Sequence, residues 1–331
     1  MAATIIKENK MTNRPKSSRL DGAGAGALVQ SGLSAGGLAC LLALLCAQPM
    51  SAGFVLGPHR TVFCNIPVGR KVPADEFGSS LNIMNQTSAP QTYLVEIKKP
   101  SQVKRELLFG YEEIPDVKFV IPEREMVVEA NSAKPVRLWS NIPDKERYYN
   151  RKWEAEIVVR EKTTGFGVEL EGQLWIETEA KPAVADPQAR LGEDFLLAPA
   201  MLDLKGYKNA AGVKLYNLSK SALTFLIVSA SPPEGAREMF IPYSAGFERL
   251  ADQEWITPSI KGEEQIKRIK QGREIAPQKR IRIEPGAYKT INVEMNVPPK
   301  KEYGGKRESF IFVRCPELNR SKFVRIRITA P

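Results

Sequence analysis

The chain has a single histidine among 331 residues, so side-chain acid–base chemistry poised near neutral pH is almost missing. That residue, His59, sits in Gly57-Pro58-His59-Arg60 and reads as a surface side chain. Cysteine is scarce too, with four in all. No Cys/His cluster has metal-ligand spacing, no glycine-rich phosphate loop opens a helix, and no nucleophile-elbow motif occurs. The acidic pairs Glu112-Glu113 and Glu263-Glu264 could serve acid–base chemistry. The first belongs to a repeated block and the second to a charged stretch, where solvation is the plainer role. The sequence therefore argues against an enzyme and implies neither cofactor nor metal.

A long hydrophobic run is also lacking. The densest, from Gly37 to Ala47, is shorter than the roughly 20 apolar residues a membrane-spanning helix needs. It follows a basic lead-in of Lys7, Lys10, Arg14, Lys16 and Arg19 and precedes Met50-Ser51-Ala52. Residues 1–52 therefore read as a lead-in and secretory signal cleaved before Gly53, with Met11 an alternative start and an uncleaved anchor the competing reading. The expectation is an exported protein of the periplasm or cell surface, with no transmembrane anchor in the mature chain. Cys64 and Cys315 remain, either paired or as two buried thiols. Net charge is +10, and removing the leader leaves it near +7. That sign suits anionic envelope polymers or acidic proteins, whereas nucleic acid does not suit the compartment.

Against these absences stands an internal repeat. Residues 122–143 (PEREMVVEANSAKPVRLWSNIP) align without a gap on 277–298 (PQKRIRIEPGAYKTINVEMNVP), at an offset of 155. With one residue dropped, 144–160 continues on 299–314. Upstream, the block beginning Gly110-Tyr111-Glu112 matches Gly246-Phe247-Glu248 at offset 136, and 81–97 resembles 213–229 at offset 132. The growing offset means that the second copy carries about 19 extra residues, placed within 257–276.

Each copy alternates apolar and polar residues in short runs separated by turn residues, as in Met126/Val128 with Val136/Leu138 and in Ile281/Ile283 with Ile291/Val293. About seven such runs per copy predict an all-β chain of two tandem β-sandwiches. The expected division is 53–179 and 193–331, joined by a Pro/Ala-rich linker over 180–192. Trp139, Trp175 and Trp255 are expected in cores or half-buried strands. Asn85-Gln86-Thr87 and Asn217-Leu218-Ser219 match glycosylation acceptors, yet their repeated position suggests side chains closing a turn.

The hairpin ending in Asn-(Ile/Val)-Pro, the basic Tyr-containing loop and the strand ending Val-Arg resemble the immunoglobulin-like domains of bacterial exported proteins. They are similar, more distantly, to the domains of periplasmic pilus-assembly chaperones. The second resemblance implies a last strand of the first domain that is lent to a subunit by strand addition, and Val168, Leu170, Leu174 and Ile176 fit it. It also implies a basic pair for the subunit's carboxylate. Arg60 or Arg70 matches the first member, but the last strand carries Glu169, Glu171 and Glu177 and no lysine.

The extra residues of the second copy offer another surface. Lys261, Lys267, Arg268, Lys270, Arg273, Lys279 and Arg280 outnumber the nearby glutamates, and Glu263 to Ile269 is expected to form a short helix with its acidic end first. The candidate role is a patch for an anionic polymer. The function expected overall is a non-enzymatic structural or binding protein, with a protein or an anionic envelope polymer as partner.

Overall fold

The computed structural model describes residues 53–162, 168–183, 193–229, 241–270 and 273–331; side chains at 253, 268–270 and 273–276 are outside that description. The expected leader and residues 184–192 of the expected linker also lie outside the described residues. The fold is all-β. In chain order the first half contributes β1 (Phe54–Gly57), β2 (Arg60–Ile66), β3 (Lys71–Pro73), β4 (Asn82–Asn85), β5 (Gln91–Lys98) and β6 (Glu112–Glu113). It continues with β7 (Val120–Pro122), β8 (Glu125–Val128), β9 (Ser132–Pro135), β10 (Leu138–Asn141), β11 (Lys152–Glu161) and β12 (Glu169–Thr178).

One layer is the sheet β2-β12-β11-β5-β8, with β6 beside β11; the other is made by two small sheets, β1-β4-β9 and β3-β10-β7. Alternation along the strands supplies the core between them. Leu56, Ile83, Val95, Met126, Leu138, Ile157 and Leu174 all point inward and are buried. The pair β2–β12 is parallel, running from Gln173↔Arg60 to Thr178↔Ile66.

The second half repeats this plan with β13 (Phe195–Ala198), β14 (Met201–Lys205), β15 (Lys208–Asn217), β16 (Leu223–Ser229), β17 (Glu248–Arg249) and β18 (Ile256–Ile260). After these come β19 (Glu264–Lys270), β20 (Arg273–Ile283), β21 (Tyr288–Asn296), β22 (Gly305–Cys315) and β23 (Arg320–Ala330). The sheets are β13-β15-β21-β18 and β14-β23-β22-β16-β20-β19, with β17 beside β22, and β14–β23 is again parallel. Together these are two tandem immunoglobulin-like sandwiches.

Equivalent positions solve equivalent problems. Asn85 Nδ2 donates to the carbonyls of Ala89 (2.8 Å) and Val128 (3.1 Å), while its Oδ1 accepts from Thr87 N and Oγ1. Asn217 Nδ2 donates to Ser221 (2.7 Å) and Ile283 (2.9 Å), while its Oδ1 accepts from Ser219 N and Oγ. Both amides are buried turn-closers. Glu154 and Glu308 likewise each accept a backbone N–H, from Leu108 and Ser244 respectively.

Two local expectations change. Residues 263–269 are not helical, because β19 pairs with β20 across a bulge between Ile266 and Arg268; cross-strand partners override a modest helix tendency. Trp139 is an exposed strand residue at 37 % accessibility, with the Lys71 ammonium over its ring at 5.1 Å. Cys64 and Cys315 are both free and buried.

Removing either turn amide strands one buried carbonyl, of Val128 or Ile283, and one partly buried backbone N–H, of Thr87 or Ser219. Each orphaned group costs about 1–3 kcal/mol. Asn85→Ala and Asn217→Ala should therefore lower the midpoint of urea unfolding by similar amounts, whereas Asn209→Ala, at an exposed position, should leave it within error.

Candidate functional site

A third apolar cluster joins the two sandwiches. Val62, Cys64, Phe109, Tyr111 and Trp175 of the first pack against Val228, Ile241, Phe310, Phe312 and Phe323 of the second. Buried among them is Arg325 on β23, at 0 % accessibility. Its Nε and Nη2 donate to the two oxygens of Glu177 on β12 (3.0 and 2.6 Å), and its Nη1 donates to Glu308 on β22 (2.6 Å) and to the Pro242 carbonyl. Lys152 Nζ (2.7 Å) and Tyr111 Oη (2.7 Å) complete the shell around Glu177.

Two buried cations thus face two buried carboxylates. Burial alone would raise the Glu177 pKa, but Arg325 and Lys152 outweigh it and hold that carboxyl well below the usual range. Burial lowers the Lys152 pKa against the pull of Glu177. It also pushes the Cys64 thiol up to about 12, so this cysteine is a neutral, weakly reactive group. At the margin, Arg151 and Lys322 alternate with Glu112 and Glu193 in four ion pairs of 3.0–3.3 Å. Asn150 Oδ1 accepts from both Lys181 N and Ala200 N, tying the chain on either side of the junction.

Strand register defines which faces meet. Arg325 stands opposite Phe310 as Gln173 stands opposite Glu156, so Gln173, Glu156 and Glu171 in the first sandwich occupy the places of Arg325, Phe310 and Phe323 in the second. The second sandwich docks through that face. In the first, the same face is acidic and covered by the segment 99–109. Arg105 reaches Glu156 (3.2 Å) and Glu171 (2.7 Å) from this segment, while Gln173 donates to Glu154 (3.1 Å). Burial, opposed by Arg105, raises the Glu156 carboxyl to about 7.

The four residues of the expected strand-addition edge divide into two pairs. Leu174 and Ile176 lie between β11 and β2 and are fully buried, so that half of β12 is closed to a partner. Val168 is exposed at 46 %, and Leu170 is half-buried against the core. From Glu169 to Gly172 only β11 is paired, because β2 joins at Gln173. Gln173 N donates to His59 O on that side. Strand alternation therefore turns the N–H and C=O of Glu169 and Glu171 toward an edge where no described strand lies.

The basic insertion is a β-hairpin rather than a helix. Lys279 is buried against Glu263 at 2.8 Å and Arg280 reaches Glu264 at 3.4 Å; Lys261 and Lys267 are exposed. The side chains of Arg268, Lys270 and Arg273 lie outside the described residues. Tyr148 and Tyr149 of the basic Tyr-containing loop, and Trp153 on the strand after it, belong to the first core. Among the described residues no group of three His, Cys, Asp or Glu side chains could hold a metal, and no helix is long and apolar enough to cross a membrane.

Sequence reasoning passed over Arg325, Glu177, Glu308 and Lys152. Comparison of the repeats carried the signal, since Glu156 and Glu171 give way to phenylalanines in the copy that docks.

Replacing Arg325 with Met leaves Glu177 with Lys152 and takes from Glu308 the cation it is bonded to. Breaking a buried ion pair this way costs about 3–5 kcal/mol. Arg325→Met/Glu308→Gln, which keeps Lys152 with Glu177, should recover part of the loss in a denaturation series at pH 7. Glu156 has the opposite pH sign to Glu177. Between about pH 4.5 and 7 native Glu156 holds a proton that the unfolded chain has lost, so its contribution to stability falls as pH rises through this window. Glu156→Gln lacks that slope, and its melting temperature relative to the parent should be about 2–4 °C more favourable at pH 8 than at pH 4.5.

No family model matches the chain, and no curated protein does. Among solved structures it is similar to the ASH / PapD-like domain of human CEP192 (11 % identity, TM-score 0.31, covering 47 % of this chain and 100 % of that one). It is also similar to the E. coli chaperone DraB (11 %, 0.26, 83 % and 98 %). A third similar structure is the CsuC-CsuE chaperone–tip adhesion subunit pre-assembly complex of Acinetobacter baumannii (8 %, 0.26, 84 % and 99 %).

Proposed function

We propose that the chain is an exported, non-enzymatic binding protein that takes up an extended segment of a partner protein along the leading half of β12. One observation carries this reading: Glu169 and Glu171 direct backbone donors and acceptors to an edge that no described strand occupies. Beside that edge, Val168 and Leu170 offer apolar surface. Strand addition gives affinity through main-chain hydrogen bonds and selectivity through alternate side chains. Export rests on the character of residues 1–52, and the working division into domains remains 53–179 and 193–331.

The buried ionic junction supports this role by holding the second sandwich in one pose beside the edge. An anionic-polymer patch on the inserted hairpin has less support, since Lys279 and Arg280 are neutralised by Glu263 and Glu264 within the hairpin itself.

The test is affinity capture from the exported fraction of the protein's own cells, with mass spectrometry. Glu171→Pro removes an N–H that faces the free edge and spares the β11 ladder, while Glu171→Gln removes only the charge. A bound protein retained by Glu171→Gln and lost with Glu171→Pro and Leu170→Asp is the expected result. Retention by all three variants, each with parental circular dichroism, would falsify the reading.

A further inference from the structure

The two sandwiches differ at one corner, and the difference points to a second binding site. In the first, β8 pairs with β5 only as far as Leu94↔Glu125, followed by Val95 N donating to Arg124 O. Beyond that point the outer edge of β5 is open. Ile97 has the same orientation as Val95, so its N–H and C=O face outward, and no described residue bonds to them. Next to this edge lies a cleft of about 710 Å³ lined by Leu94, Ile97, Val117, Val120, Ile121 and Arg124, among others.

The corresponding corner of the second sandwich is partly filled. Ser229, Ile256, Thr257 and Lys279, the repeat counterparts of Ile97, Val120, Ile121 and Arg124, line a cleft of about 310 Å³. Residues of the inserted hairpin narrow it. There β20 pairs with β16 as far as Ile227↔Lys279, the equivalent of the Val95–Arg124 bond, and Gln265 and Pro277 become part of the wall. The insertion also brings a carboxylate, as Glu263 Oε1 lies 2.8 Å from Lys279 Nζ while its Oε2 accepts from Ile260 N.

The first sandwich has the cation without that carboxylate. Arg124 is exposed and has no ion pair among the described residues, and neither has Lys118, which also lines the cleft. We infer that the β5 corner of the first sandwich binds an extended acidic segment of a partner protein. This segment adds a strand at Ile97 and places a carboxylate at Arg124, as Glu263 does at Lys279 in the second sandwich. The site is separate from the β12 edge: β11 lies between the two strands.

Fluorescence anisotropy with the full chain tests the inference, using labelled (Val-Glu)₃ and (Val-Lys)₃ peptides. The acidic peptide should bind and the basic one should not. Arg124→Glu should weaken binding at least tenfold, the scale of one partly desolvated charge pair. Ile97→Pro should weaken it as well, and the Ile97 amide should become protected from hydrogen exchange on binding. Glu171→Pro should leave the affinity unchanged, which separates this site from the β12 edge. Equal binding of both peptides, no binding at 1 mM peptide, on the order of the weakest specific affinities, or an affinity indifferent to Arg124→Glu would each overturn the inference. Loss with Glu171→Pro but not with Ile97→Pro would overturn it too, by assigning the peptide to β12.

Discussion

One guanidinium fixes the architecture. Arg325 bridges carboxylates that belong to different sandwiches, Glu177 and Glu308, inside a cluster of phenylalanines. Desolvating such a set is costly, and an apolar replacement is often as stable. Its value is directional. Hydrophobic contacts between Trp175, Tyr111, Phe310 and Phe323 tolerate sliding, whereas a planar fork held to one carboxylate through two nitrogens and to a second through a third nitrogen admits a single pose. The position of every edge and cleft relative to the second sandwich follows from that pose.

Around this constraint, duplication has kept the instructions for the backbone and changed those for the surface. The turn amides Asn85 and Asn217, the buried acceptors Glu154 and Glu308, and the parallel pairs β2–β12 and β14–β23 serve the same purpose twice. The 3-10 turns Val117–Phe119 and Gln253–Trp255 recur at the same offset. Differences lie on outward faces and at one corner, where a hairpin is present in one copy and missing in the other. A duplicated domain can acquire new contacts there without disturbing its core.

The sandwiches were legible in the sequence because their determinants are local: alternation, turn residues and a gapless repeat. The junction was not, because it depends on three-dimensional register. Arg325 sits in a strand whose other arginines, such as Arg327, meet solvent and Asp203, and nothing in FVRIRIT singles it out. The β12 edge was half legible. Apolar alternation over Val168 to Ile176 marks a strand with a buried face, but it carries no information about which neighbours pair along its sides. That is decided by where β2 joins, at Gln173. The pairing within the basic stretch was not legible for a similar reason, since charge spacing in a line does not reveal that a hairpin folds Glu263 and Glu264 back onto Lys279 and Arg280.

The junction is head-to-tail, with unlike surfaces meeting, so in principle it could recur indefinitely. A surface like that of Val62 and Trp175 on the second sandwich would receive a third, and a face like that of Phe310 and Phe323 on the first would dock onto a preceding one. Neither exists. At the place of Trp175 the second sandwich has Arg327, paired at 2.7 Å with Asp203. At the places of the phenylalanines the first has Glu156 and Glu171 beneath Arg105. Polar ends of this kind cap solenoids against further stacking. The substitutions that let the two halves meet thus leave the two corresponding outer faces charged.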